Sequence, residues 1–201
     1  MSTVIVGLSV SLDGYIAGAG DGVDAPLGRG GEALFAWMTA GADNPAEPRL
    51  APTGASKSIV DEWQRTTGAM ISGRRTFDIA RGWSGGHPID APIFVLTHRP
   101  PTEGGAVAGW SDRVSFVTEG IERALDLAGE AAGDRVVALG SADVTRQALR
   151  VGRLDEIEVS VVPVLLGSGV RLFDEIGPVT LEQTRVVVGD GVTHLRYRVC
   201  R

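Results

Sequence analysis

The sequence has few of the residues that build disulfides and structural metal sites. It contains one cysteine, Cys200, and three histidines, which lie far apart at positions 87, 98 and 194. One cysteine cannot form an intrachain disulfide, and the histidine spacing matches no structural zinc site. The sequence also lacks a Walker A pattern. We therefore expect neither a bound metal nor a P-loop nucleotide site.

Basic residues and long apolar runs are also scarce. The chain has 19 basic and 25 acidic residues, which give it a net charge of −6. Because nucleic-acid-binding domains usually present a basic face, we expect no nucleic-acid partner, although local arginines can still hold a small anion. No apolar run approaches the roughly 20 residues of a membrane helix. The N-terminus lacks the basic region of a signal peptide, so we expect a cytoplasmic protein without a membrane partner.

The apolar pattern that is present predicts alternating strands and helices through the middle of the chain. Short β-branched runs are typical of buried strands, whereas apolar positions at helical spacing are typical of helices. The predicted strands are residues 4–10, 69–72, 92–97, 114–117, 135–139 and 157–162. The predicted helices are residues 32–38, 56–66, 76–81, 121–132 and 142–151. This alternation predicts a three-layer α/β fold with a mainly parallel central sheet, in one domain that spans residues 1–201.

The C-terminal part of the chain has a hairpin signature. Two β-rich runs, residues 179–188 and 192–199, flank Gly189-Asp190-Gly191, and Asp-Gly between such runs is a strong hairpin signal. The hairpin would add an antiparallel edge to the parallel sheet. Two segments are expected to be irregular. The glycine-rich residues 18–31 form either a binding loop or a plain connection, and residues 43–53 contain three prolines.

One strand–turn–helix junction has the composition of an anion site. The apolar residues 69–72 run into Gly73, which Arg74, Arg75 and Thr76 follow. Free N–H groups at a helix start favour anions, glycine allows a phosphate to approach the backbone, and arginines add charge-assisted hydrogen bonds. The Thr76 hydroxyl would bind a phosphate oxygen or cap the helix. The alternative is a solvated arginine pair beside an ordinary cap.

Two later junctions have a similar layout. Thr97-His98-Arg99 ends the strand at residues 92–97, and Gly140-Ser141 ends the strand at residues 135–139. In open α/β sheets, ligands bind beyond the carboxyl ends of the strands. Each junction read alone is equally well an ordinary polar or small-residue turn. Together, the three junctions predict a phosphate-binding edge of the sheet.

The ordered set of segments resembles the dihydrofolate-reductase-like superfamily, in particular the C-terminal reductase domain of bacterial riboflavin-biosynthesis deaminase/reductases. The matching segments are residues 11–17, 68–76, 94–97, 140–144, 154–156, 163–169 and 172–173. The resemblance implies a dihydrofolate-reductase-like fold and a stand-alone, NADPH-dependent reductase. Its substrate would be a small heterocycle, pyrimidine-like or pteridine-like, as for the 5-amino-6-(5-phosphoribosylamino)uracil reductase of riboflavin biosynthesis. Similar proteins also imply a homodimer, formed through the terminal hairpin and the strand at residues 157–162.

The resemblance also implies which residues bind NADPH. The first strand and its loop would lie beside the nicotinamide and its ribose, and the three turns would hold the pyrophosphate and the 2′-phosphate. The residues implied in this way are Ser9, Ile16, Ala17, Gly73, Arg74, Arg75, Thr76, Leu96, Thr97, His98, Arg99, Gly140, Ser141, Ala142, Asp143 and Val144.

Three departures from the family pattern leave the substrate open. The relatives usually carry Gly-Gly where this chain has Gly140-Ser141, and the riboflavin reductases often carry Glu where it has Leu139. Dihydrofolate reductases carry an acid near the position that Ile59 or Val60 occupies here.

The proton donor also stays open, with Asp61, Asp13 and Tyr15 as the candidate catalytic residues. A reductase needs a proton from a side chain or a held water, and Asp13 fits a turn at least as well. Two alternatives to the riboflavin-type reductase follow. One is dihydrofolate reductase activity, and the other is a catalytically silent NADPH-binding module.

Overall fold

The structure, a computed structural model, describes residues 2–42, 50–83, 87–101 and 113–201. The strands, in chain order, are β1 (Val4–Ser11), β2 (Tyr15–Gly18), β3 (Thr67–Gly73), β4 (Ile93–Leu96), β5 (Val114–Val117), β6 (Val136–Leu139), β7 (Glu156–Val162), β8 (Gly169–Arg171), β9 (Leu181–Gly189) and β10 (Val192–Val199). The α-helices are α1 (Ser56–Thr66), α2 (Arg74–Ile79), α3 (Ile121–Ala132) and α4 (Ala142–Arg150). Two 3-10 helices cover Gly31–Met38 and Arg81–Trp83.

Eight of these strands form the central sheet, in the order β5-β4-β3-β6-β1-β7-β10-β9. The first six strands of that order pair in parallel. Strands β10 and β9 pair antiparallel, and Gly189 lies opposite Val192 across the Asp190-Gly191 turn. Helices cover both faces of the sheet. The predicted three-layer α/β fold with a mainly parallel sheet and an antiparallel C-terminal hairpin is therefore confirmed.

The two faces of the sheet are covered differently. On one face, small and aliphatic side chains of α3 and α4 pack on β1, β3 and β6 in one continuous core. On the other face, the core is split into two clusters. Leu34, Trp37 and Val60 pack at the β7–β10 side, and Phe77 packs with Ile93 at the β3–β4 side. The strands between these clusters are left with open space above them.

A second, two-stranded sheet of β2 and β8 was not predicted from the sequence. The glycine-rich loop packs closely on it, since the Gly18 N–H donates to Leu27 O at 2.8 Å and the Arg29 N–H to Ala19 O at 3.0 Å. At Gly28, where φ is 65°, an added Cβ would lie 2.1 Å from Gly18 O. Only glycine fits such an approach. Backbone hydrogen bonds and close packing therefore hold the loop against the two-stranded sheet.

The start of helix α2 corrects two expectations, one about where the helix begins and one about the role of Thr76. Helix α2 begins at Arg74, two residues before the predicted start, so Gly73 is its N-cap and Thr76 lies within its first turn. The alternative in which Thr76 caps the helix is therefore wrong.

Of the irregular segment predicted at residues 43–53, residues 43–49 lie outside the described residues. None of the helices in the described ranges combines the length and apolar character that crossing a membrane requires.

A buried carboxylate joins helix α1 to the C-terminal hairpin. Glu158 on β7 is 1% exposed and accepts a hydrogen bond from Trp63 Nε1 of α1 at 2.7 Å. Arg185 Nη2 and Arg196 Nε of the hairpin lie 2.6 and 3.0 Å from its Oε2. Both arginines also pair with Glu62 of α1, and although burial opposes it, these contacts hold the pKa of Glu62 below its usual range. The network fixes the helix over the sheet.

A buried histidine makes a second connection in the same region. His194 on β10 lies between Ser56 Oγ of α1, 2.9 Å from Nε2, and Ser160 Oγ of β7, 2.8 Å from Nδ1. Trp37 contacts the imidazole edge-on, with ring centroids 4.9 Å apart. Burial lowers the pKa of His194. The neutral ring therefore serves as a hydrogen-bonded spacer between the helix and the sheet.

Asp13 organises the turn between β1 and β2. Its Oδ1 accepts hydrogen bonds from Ser11 Oγ at 2.6 Å and from the Leu166 N–H at 3.1 Å. Its Oδ2 accepts one from the Gly167 N–H at 2.7 Å. These hydrogen bonds, chiefly the one from Ser11, lower the pKa of Asp13 to about 2. Asp13 is thus an ionised acceptor that ties the β1–β2 turn to the segment before β8.

Replacing Glu158 with Gln is expected to lower the free energy of unfolding by about 3 kcal/mol, because two largely buried guanidinium groups lose their most buried carboxylate partner. Urea denaturation at neutral pH measures this change. The matched control is Glu182→Gln, since Glu182 pairs with Arg198 on the surface at side-chain exposures of 58% and 60%. That variant should cost less than about 1 kcal/mol. Equal losses for the two variants would contradict a structural role for the buried network.

The Asp13 carboxylate should make stability depend on pH at the acid end. Its pKa in the folded protein lies below the value in the unfolded chain, so its contribution is present above about pH 4 and is lost toward pH 2. The difference in unfolding midpoint between the wild type and Asp13→Asn should therefore be constant near neutrality and shrink below about pH 4. A difference that persists unchanged to pH 2 would exclude this explanation.

Candidate functional site

Two adjoining cavities meet near the carboxyl ends of the central strands. The larger has a volume of about 660 Å³ and lies beyond the ends of β1, β3, β4 and β6. The smaller, of about 360 Å³, lies on the sheet face between α1 and the segment after α2. Both volumes are in the range of small-molecule sites. The residues that line both cavities are Leu8, Ser9, Phe35, Thr76 and Gly140.

The larger cavity gathers the residues that the sequence predicted for a cofactor. Every one of them lines this cavity except Val144. Val144 is fully buried and packs in the core beneath the sheet, because α4 turns this residue toward β3. The three turns that lie far apart in sequence are therefore neighbours in space. A contact between a ligand and the Val144 side chain is excluded in this arrangement.

Hydrogen bonds join the three turns to one another. The Gly73 N–H donates to Ser141 Oγ at 3.0 Å, which connects the end of β3 to the start of α4. The Gly140 N–H donates to Ile71 O at 2.9 Å. Because the Ser141 hydroxyl is used in this way, it does not cap α4, and the first-turn N–H groups of that helix have no side-chain cap. A Cβ on Gly73 would lie 3.2 Å from Ser141 Oγ, so glycine is what permits this contact.

The lining of the larger cavity is basic although the chain is acidic. It includes four arginines, Arg74, Arg75, Arg99 and Arg146, together with His98, against two aspartates, Asp21 and Asp143. This local balance is opposite in sign to the net charge of −6. It favours an anionic ligand with several negative charges.

Two of these arginines are already oriented by protein groups. Arg74 Nε donates to Asp78 Oδ1 at 2.8 Å, and its Nη1 donates to Arg99 O. Arg75 Nη2 donates to Asp21 O at 2.6 Å and pairs with Asp21 Oδ1 at 2.8 Å, a hydrogen bond and charge that raise the pKa of Arg75. The Arg75 side chain is nevertheless 64% exposed, and it lines the larger cavity. Pre-oriented guanidinium groups lose less freedom when they bind.

The smaller cavity has a mostly apolar lining. Its floor consists of side chains that alternate out of one face of the sheet, namely those of Ile5, Ser9, Met70, Ser72, Val136 and Ala138. Its walls carry Phe35 of the first 3-10 helix, Trp63 of α1 and Trp83 after α2. Ser72 is 1% exposed, and its Oγ makes no hydrogen bond within the described part of the chain.

The three candidate proton donors lie outside both cavities. Asp61 is exposed on α1, and Asp13 is the ionised acceptor of the β1–β2 turn. Tyr15 is buried, with its hydroxyl donating to Gly167 O at 3.3 Å and the Arg171 guanidinium 4.6 Å from its ring centre. The structure thus gives Asp13 and Tyr15 structural contacts and leaves Asp61 on the surface.

Sequence reasoning missed three parts of the site. It did not select Asp21, which orients Arg75 from the glycine-rich loop, and no local signal marks that residue. It did not select Ser72, although alternation along β3 places this serine opposite the buried Ile71. The aromatic wall was missed because its members come from separate elements. Among the described residues, no cluster of His, Cys, Asp or Glu is placed to hold a metal ion.

Comparison with known proteins agrees with this fold. Residues 2–195 match the family described as the RibD C-terminal domain. A relative from Bacillus subtilis (strain 168), the uncharacterised protein YwjB, is 24% identical over 124 residues, which are 61% of this chain and 68% of that protein. The sequence comparisons thus identify a family but assign no substrate.

Solved structures show the same fold at low identity. A putative riboflavin biosynthesis protein from Shewanella sp. PV-4 is 23% identical with a TM-score of 0.70, over 100% of both chains. RibD from Acinetobacter baumannii is 19% identical with a TM-score of 0.62, and this chain covers 58% of that longer chain. Dihydrofolate reductase from Enterococcus faecalis, complexed with NADP(H) and RAB-propyl, is 13% identical with a TM-score of 0.55, over 98% of this chain and 96% of that one.

The fold is therefore dihydrofolate-reductase-like, as the resemblance in the sequence implied, and the family match extends over nearly the whole chain. The three turns and the cavity they enclose lie within the matched residues. This protein belongs to the RibD C-terminal domain family.

Proposed function

We propose that this protein is an NADPH-dependent reductase that transfers a hydride to a small molecule held in the smaller cavity. The observation that carries the proposal is the larger cavity, where three strand-end turns and four arginines meet beside an apolar compartment. Its family and fold are those of reductases, and one structural neighbour was solved with NADP(H). The activity that the family suggests is the reduction of an intermediate of riboflavin biosynthesis.

The residues of the larger cavity fit a 2′-phosphorylated dinucleotide. The glycine turns at Gly73 and Gly140, with the uncapped first turn of α4, would hold the pyrophosphate through backbone N–H groups. Arg75 and Arg99 would hold the 2′-phosphate, because guanidinium groups match phosphate oxygens in a two-pronged geometry. Ser9 lines both cavities, and Ile16 and Ala17 line the larger one; these three residues would contact the nicotinamide portion. NADPH bound there would supply the hydride.

The protein's own contribution would be orientation, water exclusion and proton access. The five residues shared by the cavities form the boundary across which the two reacting carbons must meet. The Phe35 side chain contributes apolar surface at that boundary, and Ser9 and Thr76 contribute hydroxyls. Within the described lining of the smaller cavity there is no carboxyl group, so a hydroxyl-bound water would deliver the proton.

Two alternatives make different demands on the same site. Dihydrofolate reductase activity calls for an acid at the position that Ile59 or Val60 occupies, and both of these residues are buried aliphatic side chains. A catalytically silent NADPH-binding module is favoured by the lack of a carboxyl donor in the described lining. If the protein binds NADPH but oxidises it with none of a panel of carbonyl, imine and pteridine substrates, the silent module is supported.

Arg75→Ala should weaken NADPH binding by about 10- to 100-fold, the loss expected for a charge-assisted phosphate contact. NADH lacks the 2′-phosphate, so its dissociation constant should change by less than about threefold. Titration of the intrinsic tryptophan fluorescence measures both constants. The control is Arg153→Ala, because Arg153 pairs with Asp126 on the surface away from the cavity. Equal losses for NADPH and NADH would show that Arg75 does not read the 2′-phosphate.

We also propose that two copies of the chain pair through β9. This strand forms the edge of the sheet, and Val186 and Val188 on it are 50% and 74% exposed. Edge strands with exposed apolar side chains are prone to pair with another chain. Light scattering should give the mass of two chains for the wild type and of one chain for Val188→Asp. Val151→Asp, at an exposed valine after α4, should stay dimeric, whereas a monomeric wild type would refute the pairing.

A further inference from the structure

We propose that the smaller cavity accepts an uncharged, planar and largely apolar substrate whose carbonyl or imine group hydrogen-bonds to Ser72. The inference rests on the proposed reductase function for the direction of hydride transfer. The proposed substrate differs from phosphoribosyl-bearing and folate-like substrates, which carry charges.

The part of the cavity lining that the structure describes offers no free charge to a ligand. The only arginine in its described lining is Arg196, and that guanidinium lies 2.8 Å from Glu62 and 3.0 Å from Glu158. Its charge is therefore neutralised by carboxylates behind the wall. His87 also lines the cavity, but burial lowers its pKa and its Nδ1 accepts a hydrogen bond from the Ile89 N–H at 3.0 Å. The ring is thus neutral at physiological pH.

A charged substrate would lose more hydration free energy on entering this cavity than it would gain from contacts with the lining. A phosphate or carboxylate needs cations or several N–H donors, and a protonated pteridine needs a carboxylate, when it leaves water. The described lining offers a neutral histidine, a neutralised arginine, hydroxyls, the Gln64 amide and apolar groups. A neutral substrate loses little hydration and gains apolar contact. The cavity therefore selects against both of the charged classes.

Ser72 supplies a hydroxyl that has no hydrogen-bond partner among the described residues. Its Oγ is buried and unbonded among the described residues, and polar atoms in that state are uncommon in folded proteins. A Cβ placed on Gly140 would lie 3.9 Å from this oxygen. Since Gly140 lines both cavities, the Ser72 hydroxyl lies close to their boundary. A substrate carbonyl or imine that bonds to Ser72 would thereby hold its electrophilic carbon near the nicotinamide.

Aromatic walls favour a flat ring system. Trp63 has its indole orientation fixed by the hydrogen bond from Nε1 to Glu158, and Trp83 is fixed by an edge-on contact with Phe77 at 5.9 Å between ring centres. They come from opposite sides of the cavity, from α1 and from the 3-10 helix after α2. Rigid aromatic surfaces bind planar rings at a small cost in conformational entropy.

The reaction follows from these contacts. A hydride adds to the carbon of the C=O or C=N group, whose π bond breaks as the new C–H bond forms. The oxygen or nitrogen then takes a proton from water. A carbonyl substrate is thereby reduced by two electrons to an alcohol, and an imine substrate to an amine. NADPH is oxidised to NADP⁺ in the same step. No other oxidant or reductant is required.

The first test uses a matched pair of probes, isatin and isatin-5-sulfonate, which share a planar ketone and differ by one permanent negative charge. Calorimetry of the cofactor-free protein should show isatin binding at least about 10-fold tighter than the sulfonate. With NADPH added, only isatin should accelerate loss of the cofactor absorbance. Equal binding of the two probes, or no binding of isatin, would overturn the proposal. NADPH binding is titrated separately, so its failure would refute the reductase function and not the selectivity of the cavity.

The second test replaces Ser72 with Ala. Removing an unpaired buried hydroxyl should raise the thermal unfolding midpoint by about 2–4 °C without ligand. The same variant should bind isatin about 10-fold more weakly, since the carbonyl loses its donor. Ser58→Ala, at an exposed serine of α1 outside both cavities, is the control and should change neither quantity. Unchanged isatin affinity in Ser72→Ala would exclude the proposed contact.

Discussion

The ion network around a buried carboxylate connects helix α1 to the sheet and to the C-terminal hairpin. Glu158 projects from a central strand and binds the indole N–H of Trp63, while two hairpin arginines surround it. A buried carboxylate without partners would be strongly destabilising, so the helix and the hairpin must stay in contact with it together. The same contacts neutralise Arg196 and orient Trp63. The chemistry of the smaller cavity is therefore set by an ion network that lies behind its wall.

The larger cavity illustrates how a parallel sheet concentrates short polar turns. The residues after β3, β4 and β6 are separated by long stretches of sequence, but adjacent parallel strands end at the same edge. The contact between Ser141 and Gly73 fixes two of these turns together. The cluster of arginines at this edge is positive although the chain is acidic. Such a local field is sufficient for an anionic ligand, because the contacts act at short range.

The two cavities have opposite character, and that contrast suits a hydride transfer between unlike molecules. One is basic and rich in backbone donors, and the other is apolar with one unpaired hydroxyl. They share residues of β1, of α2, of a 3-10 helix and of the turn after β6, so a change at their boundary affects both compartments. Three of the five boundary residues are small, because Gly140 has no side chain and Ser9 and Thr76 carry short hydroxyl side chains. Their small size leaves room for two ligands to approach each other.

The sequence by itself determined the order of strands and helices, the hairpin at Asp190-Gly191 and the three turns of the larger cavity. These features are local, because periodicity, turn chemistry and strand ends depend on neighbouring residues. It misplaced the start of α2 by two residues and missed the small β2–β8 sheet, since both depend on packing with distant segments. Only the tertiary structure decided that Val144 faces the core, that Asp13 is an ionised acceptor and that Ser72 is left unpaired. Those outcomes depend on which atoms come within hydrogen-bonding distance, and a linear pattern contains no such distances.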